Sequence, residues 1–532
     1  MNTIKYVSVA EMVSIEREAN TLGLSYEQMM ENAGRGLAEI ISEHYEHLKG
    51  HLIIGLVGSG NNGGDNLVAF SYLASWGWKV CAYIVRDRDP NDPLMVRTLE
   101  AGGDIIHITQ DDDFQELDRL IRAAGLILDG VLGTGIKLPL RGAVVHVLSF
   151  VKGVLASLRE PPVVLAVDCP SGIDCDNGEA APECLAADMT ITMAAYKQGL
   201  LRFPAYKFVG EIVLVGIGLT RGNKSWVSIK REVAAKSLVG ELLPPRPPDA
   251  HKGTFGTALI IAGSLNYPGA VLLAGEAAYR SGAGLVTLGV STPLHSSLAG
   301  ELPEATWLLL PHEQGAIAED AVDTVISSLG RTSAILFGPG FGLASATQRF
   351  VGRLLTELDA MNESGGESTG SPLPSFTIDA DGLKLMAQYP GWADKLPPPA
   401  VLTPHPGEMA LLTGRSLVDI QSNRVEIAET YAKQWGHVVV LKGAFTIVAA
   451  PDGKTTVIPV ASAALARAGT GDVLAGLIVG LRAQGMDAYS ASIAGAWIHA
   501  QGGLRAQESL GNSACVLAGD VLNGAVDVLG QI

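Results

Sequence analysis

Twice along this chain, short apolar runs alternate with helix-length stretches, and that alternation restricts the fold more than any other feature of the sequence. The first series starts at residue 52 and runs through HLIIGLVG, WKVCAYIV, DIIHI, GLILDG, VVLAVD, MTITM and EIVLVGIG. The second starts at TALIIAG (257–263) and continues through LVTLGV, AILFGPG, FTIDAD, AVLTPH and HVVVLKG. Strands separated by helices pair in parallel through right-handed crossovers. Two such series predict two α/β sheets, and 532 residues are too many for one hydrophobic core.

The segments between them have their own signals. Ser8-Val9-Ala10-Glu11 is a capping box and predicts a helix start. Met30, Ala33, Leu37, Ile40 and Ile41 recur at helical spacing and predict a second amphipathic helix. Residues 220–250 are polar or basic and end in LPPRPPDAHKG, which reads as a linker or wrapped connection. Residues 361–374 (MNESGGESTGSPLP) read as an exposed loop.

A net charge of −17 disfavours nucleic acid and anionic membranes as partners, so bound phosphates must rely on local amides and a few Lys. Five cysteines without a C-x-x-C argue against a disulfide framework or a zinc site and for a reducing compartment. The N-terminus lacks a signal-peptide apolar core and no apolar run reaches spanning length, so a soluble cytoplasmic protein is expected. A homo-oligomer is the expected assembly.

In the first series, strand 52–57 runs into Gly58-Ser59-Gly60-Asn61-Asn62-Gly63-Gly64-Asp65. This is G-x-G-x-x-G after a strand, and Asp87 falls where a ribose-binding acid would sit. The glycines let backbone amides approach a pyrophosphate at a helix N-terminus. Alone, the motif is equally a tight strand-to-helix turn. Asn61, Asn62 and Asp65 sharpen it, because amide and carboxylate oxygens suit a hard cation. Asp129-Gly130-Val131-Leu132-Gly133-Thr134-Gly135-Ile136-Lys137-Leu138-Pro139 and Asp168-Cys169-Pro170-Ser171-Gly172-Ile173-Asp174 also set an Asp where a strand ends. One such Asp is a helix cap, whereas three such turns point to a ligand crevice.

AEMVSIEREANTLGLSYEQMMENAGRGLAE, GSGNNGGD, DGVLGTGIK and VDCPSGID resemble the NAD(P)H-hydrate epimerase family over nearly all of residues 5–220. The resemblance implies that Asn61, Asn62, Gly63, Gly64, Asp65, Gly133, Thr134, Gly135, Ile136, Lys137, Leu138, Pro139 and Asp168 contact the hydrated dinucleotide. It implies potassium at Asn62, Asp129 and Ser171, with Asp129 and Lys137 as the acid/base pair. Asn66 departs from the Gly usual there.

The second series carries Ala468-Gly469-Thr470-Gly471-Asp472 before a long apolar helix. Gly-Thr-Gly at a helix start presents amides to an anion, and Asp472 can take a proton from a substrate hydroxyl. An Asp there also simply complements the helix dipole. His251-Lys252-Gly253, Gly338-Pro339-Gly340-Phe341-Gly342, Asp379-Ala380-Asp381, Thr403-Pro404-His405-Pro406-Gly407-Glu408 and Lys442-Gly443-Ala444-Phe445-Thr446 add polar or Gly-rich turns beside strands. HKGTFGTALIIAGS, PHPGE, KGAFT and AGTGDVLAG are similar to the ADP/ATP-dependent NAD(P)H-hydrate dehydratases of the ribokinase-like superfamily, over roughly 250–525. That resemblance implies a hydrate site at Ala270, Gly340, Gly342, His405 and Asp472 and a nucleotide site at Lys442, Gly443, Ala444, Phe445, Thr446 and Gly471, with magnesium accompanying ADP or ATP.

The expected organisation is a Rossmann-like parallel-sheet epimerase domain at 1–222 and a ribokinase-like α/β dehydratase domain at 228–532. Its expected substrates are the hydrates NADHX and NADPHX. The alternatives are a small-molecule kinase fused to a dinucleotide-binding module, and a regulatory protein that binds these ligands without turnover.

Overall fold

Ser8 opens the first helix, Val9–Thr21: its hydroxyl accepts from Glu11 N at 3.2 Å while the Glu11 carboxylate accepts from Ser8 N at 2.7 Å. The next helix, Tyr26–His44, buries Met29, Ala33, Leu37, Ala38 and Ile41, while Met30 and Ile40 flank this stripe half-buried. The computed structural model describes residues 3–86, 88–89, 91–363 and 373–532. Asp87 and most of the Ser/Gly/Pro-rich loop fall outside the described residues. Two compact units divide the chain, Ile4–Lys230 and Arg231–Ile532.

The first unit holds a seven-stranded parallel sheet in the order Asp104–His107, Lys79–Ile84, Leu52–Val57, Ala124–Gly130, Val163–Val167, Met189–Met193, Glu211–Val215. Successive residues of a strand face opposite ways. Ile53 and Val57 therefore pack with Ile15, Leu37 and Phe70 on one face, and Ile54 and Leu56 with Leu120, Val147 and Val151 on the other. Covering both faces explains why the strands read as continuous apolar runs. Truncating Phe70, which is 0% exposed, to Ala would cost about 3–5 kcal/mol. The strand order reverses between Leu52–Val57 and Ala124–Gly130, so a crevice opens beyond their carboxyl ends. Beside this sheet, Ile4–Val7 pairs in parallel with Tyr196–Lys197.

In the second unit, the strands run Thr306–Leu310, Leu285–Ser291, Thr257–Ile261, Ala334–Phe337, Ser375–Ile378, Val401–Leu402, Val438–Leu441, all parallel. The antiparallel strands Ile447–Ala449 and Thr455–Val457 follow, and Arg231–Val233 adds in parallel to the latter. Helices Gly269–Arg280, Thr470–Ala483 and Ala488–Leu510 pack over this sheet through two apolar clusters. The α/β expectation holds in both units.

Residues 220–250 are more structured than their polar composition predicts. They hold helix Lys224–Ser228, strand Arg231–Val233 and helix Lys236–Leu242, because Ile229, Val233, Ala234 and Val239 are buried. Asn223 Nδ2 donates to Ile15 O at 2.8 Å, and the Glu18 carboxylate accepts from Lys224 N and Ser225 N, so 223–225 pack on the first helix. Among the described residues no helix is long and apolar enough to cross a membrane.

Candidate active sites

At the reversal point of the first sheet, helix Asn61–Ser75 begins after Gly60 without a side-chain cap, which leaves its leading amides available to an anion. The turn is close-packed: a Cβ on Gly63 would stand 2.1 Å from Gly58 O. Arg88 holds the turn by donating to Gly58 O at 2.8 Å. A cavity of 830 Å³ is lined by Ser59, Gly60, Asn61, Asn62, Arg86 and all of residues 131–141. It thus gathers Asn61, Asn62, Gly133, Thr134, Gly135, Ile136, Lys137, Leu138 and Pro139, with Lys137 exposed. Gly63, Gly64 and Asp65 are buried in the helix start and do not line that cavity.

Below the cavity wall lies an oxygen-rich knot. Asp129 is 1% exposed, and its carboxylate accepts from Ser171 N at 2.8 Å and Ser171 Oγ at 2.5 Å. Asn62 Nδ2 donates to Leu132 O and Val167 O, and Ser171 Oγ accepts from Leu132 N. The Leu132 backbone therefore ties Asn62 to Ser171. Burial raises the Asp129 carboxyl above the usual carboxylate range, against the opposing hydrogen bonds from Ser171 and Val131. Among the described residues no Lys, Arg or His pairs with Asp129.

Asp168 serves a different purpose from a helix cap. Its backbone is left-handed (φ 64), a strained conformation for a non-glycine residue. Its carboxylate takes the Lys197 ammonium, Thr192 Oγ1 at 3.1 Å and Met193 N at 2.9 Å. Lys197 is 1% exposed and also donates to Met193 O. Asp65 sits in the same field: burial first, then the Asp168 charge, hold its carboxyl well above the ordinary range. Glu16 is raised by burial too. Sequence reasoning missed Lys197, Thr192 and Glu16, whose signal is only a Lys in an otherwise apolar stretch. Asn66 turns its side chain toward the glycines of two strands, Gly55 and Gly130, at 0% exposure.

The second unit builds its site at the carboxyl ends of four strands. Asp379 follows Ser375–Ile378, Thr403 follows Val401–Leu402, Lys442 follows Val438–Leu441, and the Gly338–Gly342 turn follows Ala334–Phe337. Asp379, 1% exposed, accepts on Oδ1 from Thr403 Oγ1 at 2.7 Å and from Lys442 Nζ at 2.5 Å. Lys384 pairs with Asp381 at 2.9 Å, and Gly342 N donates to Asp381 Oδ2 at 2.9 Å. Ala380 between the two acids is left-handed (φ 51). Gly340 (φ 64) lies so near Ala270 that a Cβ would come within 2.9 Å of that residue's own.

Asp472 occupies the first turn of helix Thr470–Ala483. Burial, then the negative charge of Asp379, push its carboxyl up to about 7, against the pull of Lys442. A base poised near neutrality suits proton abstraction. His405 is less free to act. Its Nδ1 accepts from Gly407 N at 3.0 Å and Glu408 N at 3.2 Å, while Nε2 faces Glu408 Oε1 at 3.2 Å, so the ring caps helix Pro406–Thr413. Burial lowers its pKa.

A cavity of 420 Å³ beside this cluster gathers His405, Lys442, Gly443, Ala444, Thr446 and Gly471. Its lining also includes Ile458, Val460, Leu465 and His499, which lie outside the motifs, and Leu474 from AGTGDVLAG. Phe445 is buried and left-handed (φ 55) within that turn and does not line the cavity. His251-Lys252-Gly253 is not at this end of the sheet. It precedes strand Thr257–Ile261 and packs Lys252 O against Gly284, ahead of strand Leu285–Ser291, as a structural turn.

The family model described as NAD(P)H-hydrate dehydratase matches residues 258–526, and the one described as YjeF-related protein N-terminus matches residues 26–199. The bifunctional NAD(P)H-hydrate repair enzyme of Moorella thermoacetica is 33% identical over 97% of this chain and 95% of its own length. The chain belongs to the bifunctional NAD(P)H-hydrate repair enzymes. The Escherichia coli repair enzyme is 32% identical over 91% of this chain and 86% of its own. A crystal structure of ADP/ATP-dependent NAD(P)H-hydrate dehydratase from Bacillus subtilis, co-crystallized with ATP and Mg2+, is 33% identical with a TM-score of 0.47, covering 56% of this chain and 98% of that one. The two models fall on the two sheets in the order that the motifs predict for a repair enzyme.

Proposed function

We propose that residues 1–222 interconvert the R and S hydrates of NADH and NADPH, and that residues 228–532 dehydrate the S hydrate at the expense of ADP or ATP. The observation that carries this reading is the placement of Asp472, a carboxylate pushed up to about 7 by burial and the Asp379 charge, at a helix start beside Lys442 and a cavity lined by Gly443, Ala444 and Thr446.

In the first site the substrate carries a hydroxyl on a ring carbon next to nitrogen. Inversion needs a proton donor and acceptor near that oxygen, and Asp129 and Lys137 take those roles. The anion-binding helix start at Asn61 holds the dinucleotide phosphates, with Asp168 contacting the substrate. Asn62, Asp129 and Ser171 are the residues that would hold potassium: the buried Asp129 carboxylate meets Ser171 N and Oγ and no basic side chain among the described residues, and Asn62 is tied to Ser171 through Leu132. Bound there, it would supply positive charge beside the Asp129 carboxylate, while Asn62 holds the Leu132 and Val167 carbonyls.

In the second site, Asp472 takes the proton of the ring hydroxyl as its oxygen attacks the terminal phosphorus, and the nucleotide leaves one phosphate shorter. The ring nitrogen then expels the phosphate, and loss of a ring C–H proton restores the reduced nicotinamide. Lys442 and the Gly471 amide neutralise the transferring phosphoryl group. Thr403 and Lys442 both engage Asp379 Oδ1, which leaves Oδ2 toward Gly471 as the carboxylate oxygen that would hold magnesium. Magnesium supplies further charge neutralisation on the phosphates.

The test is to incubate hydrated NADH, as mixed epimers, with ADP or ATP and follow NADH absorbance. Recovery of both epimers supports the reading. Recovery of half the hydrate rejects the epimerase, and no recovery rejects the dehydratase.

A further inference from the structure

Among the polar side chains of the 420 Å³ cavity that the mechanism leaves unused, Ser462, Arg467 and Thr470 each have a hydrogen-bond partner, whereas a buried nitrogen of His499 has none among the described residues. His499 lies on helix Ala488–Leu510, is 8% exposed, and lines the cavity with Ile458, Val460, Leu465 and Leu474. Its Nε2 meets no hydrogen-bond partner among the described residues. Burial pushes its pKa down to about 4, so the ring is neutral, and a hydrogen bond to the Thr470 backbone accounts for its other side. A neutral imidazole has one donor and one acceptor nitrogen. With the donor directed to the Thr470 carbonyl, Nε2 is left as a bare acceptor inside an apolar slot. A buried acceptor without a partner is costly, so such an atom marks a place where a ligand donor belongs.

The rest of the slot says which kind of ligand. Its lining includes Gly443, Ala444, Thr446 and Gly471, suited to phosphates, and the aliphatic side chains of Ile458, Val460, Leu465 and Leu474, suited to the faces of a heteroaromatic ring. We propose that His499 reads the nucleobase, its Nε2 accepting from the exocyclic amine of adenine, and so selects adenine over guanine nucleotides. Guanine presents a carbonyl oxygen at that position, and acceptor would face acceptor. The inference rests on the nucleotide-dependent dehydratase reading above, and it adds a residue that sets the choice of base.

The test is calorimetric binding of three probes to the full-length protein: ADP, GDP and the diphosphate of purine riboside, which lacks the 6-amine. The wild-type protein should bind ADP roughly tenfold more tightly than the purine riboside analogue, because only ADP satisfies Nε2. His499→Leu should bind these two alike, and His499→Gln, whose amide oxygen can accept, should keep part of the gap. Equal binding of ADP and the analogue by the wild type overturns the role of His499, whether or not any variant folds. So does a folded His499→Leu protein that keeps the full gap. Wild-type protein that binds none of the three overturns the nucleotide site itself, an outcome distinct from equal binding.

Discussion

Lys442 Nζ stands 2.5 Å from Asp379 Oδ1, and the charges of this pair act in opposite senses on Asp472. Burial raises the Asp472 carboxyl most, Asp379 raises it further and Lys442 lowers it, which leaves it at about 7. Asp472→Asn keeps the shape but cannot take a proton. Dehydration of the S hydrate should fall about 10²–10⁴-fold while ADP binding and epimerisation persist. Near wild-type turnover would leave Asp472 as a helix-dipole residue only.

The same shift predicts a pH profile. The base form of Asp472 fills as pH rises through about 7, so kcat/KM for dehydration should climb across that range. The sign for stability is opposite. A raised folded-state carboxyl means that the folded chain binds the proton more tightly than the unfolded one, so this group costs stability as pH rises from the ordinary carboxylate range through about 7. Thermal melts of Asp472→Asn should lose that part of the slope. A wild-type rate profile that stays flat from about one unit below to about one unit above pH 7 would contradict it.

Epimerisation should require potassium. Ser171→Ala removes a hydrogen bond to Asp129 and, on the proposed assignment, one oxygen ligand of potassium. Potassium activation should weaken by about 10–100-fold, as when partners of a metal ligand are removed. Equal epimerisation rates in potassium and in a large organic cation would sink the assignment.

Lys137→Ala should abolish epimerisation and spare dehydration of the S hydrate. Lys137 is exposed in the wall of the 830 Å³ cavity, so its removal leaves no buried charge behind. Normal equilibration of the two epimers would return it to an ordinary surface lysine.

Lys197→Met should destabilise the first unit by about 3–5 kcal/mol, because Asp168 would be left buried without its partner. Adding Asp168→Asn to it should recover part of that loss. An unchanged melting temperature for the single variant would contradict the pairing.

Much of both folds is local in origin and was readable. The continuous apolar runs at 52–57, 79–84 and 257–261, the Ser8–Glu11 box, and the glycine turns after strands each depend on a few adjacent residues. Short elements without strong periodicity were not readable, such as Arg231–Val233 inside a basic, Pro-rich segment. The hairpin at 447–457 had a signal in Pro451-Asp452-Gly453 that the helix-and-strand alternation obscured.

By itself, the sequence determined the two parallel sheets and the glycine turns at their carboxyl ends, and it pointed to Asp129, Lys137, Lys442 and Asp472 as candidate site residues. Tertiary structure decided which charges meet. Lys197 reaches Asp168 across 29 residues, and Lys442 reaches Asp379 across 63. It also brought His499 to the cavity that Thr446 and Gly471 line. The physical reason is that a turn or strand depends on neighbours in the chain, whereas burial and ion pairing depend on which strand ends and helix faces converge. Only the packed fold brings those distant groups together, and with them the shifted proton affinities on which the proposed chemistry rests.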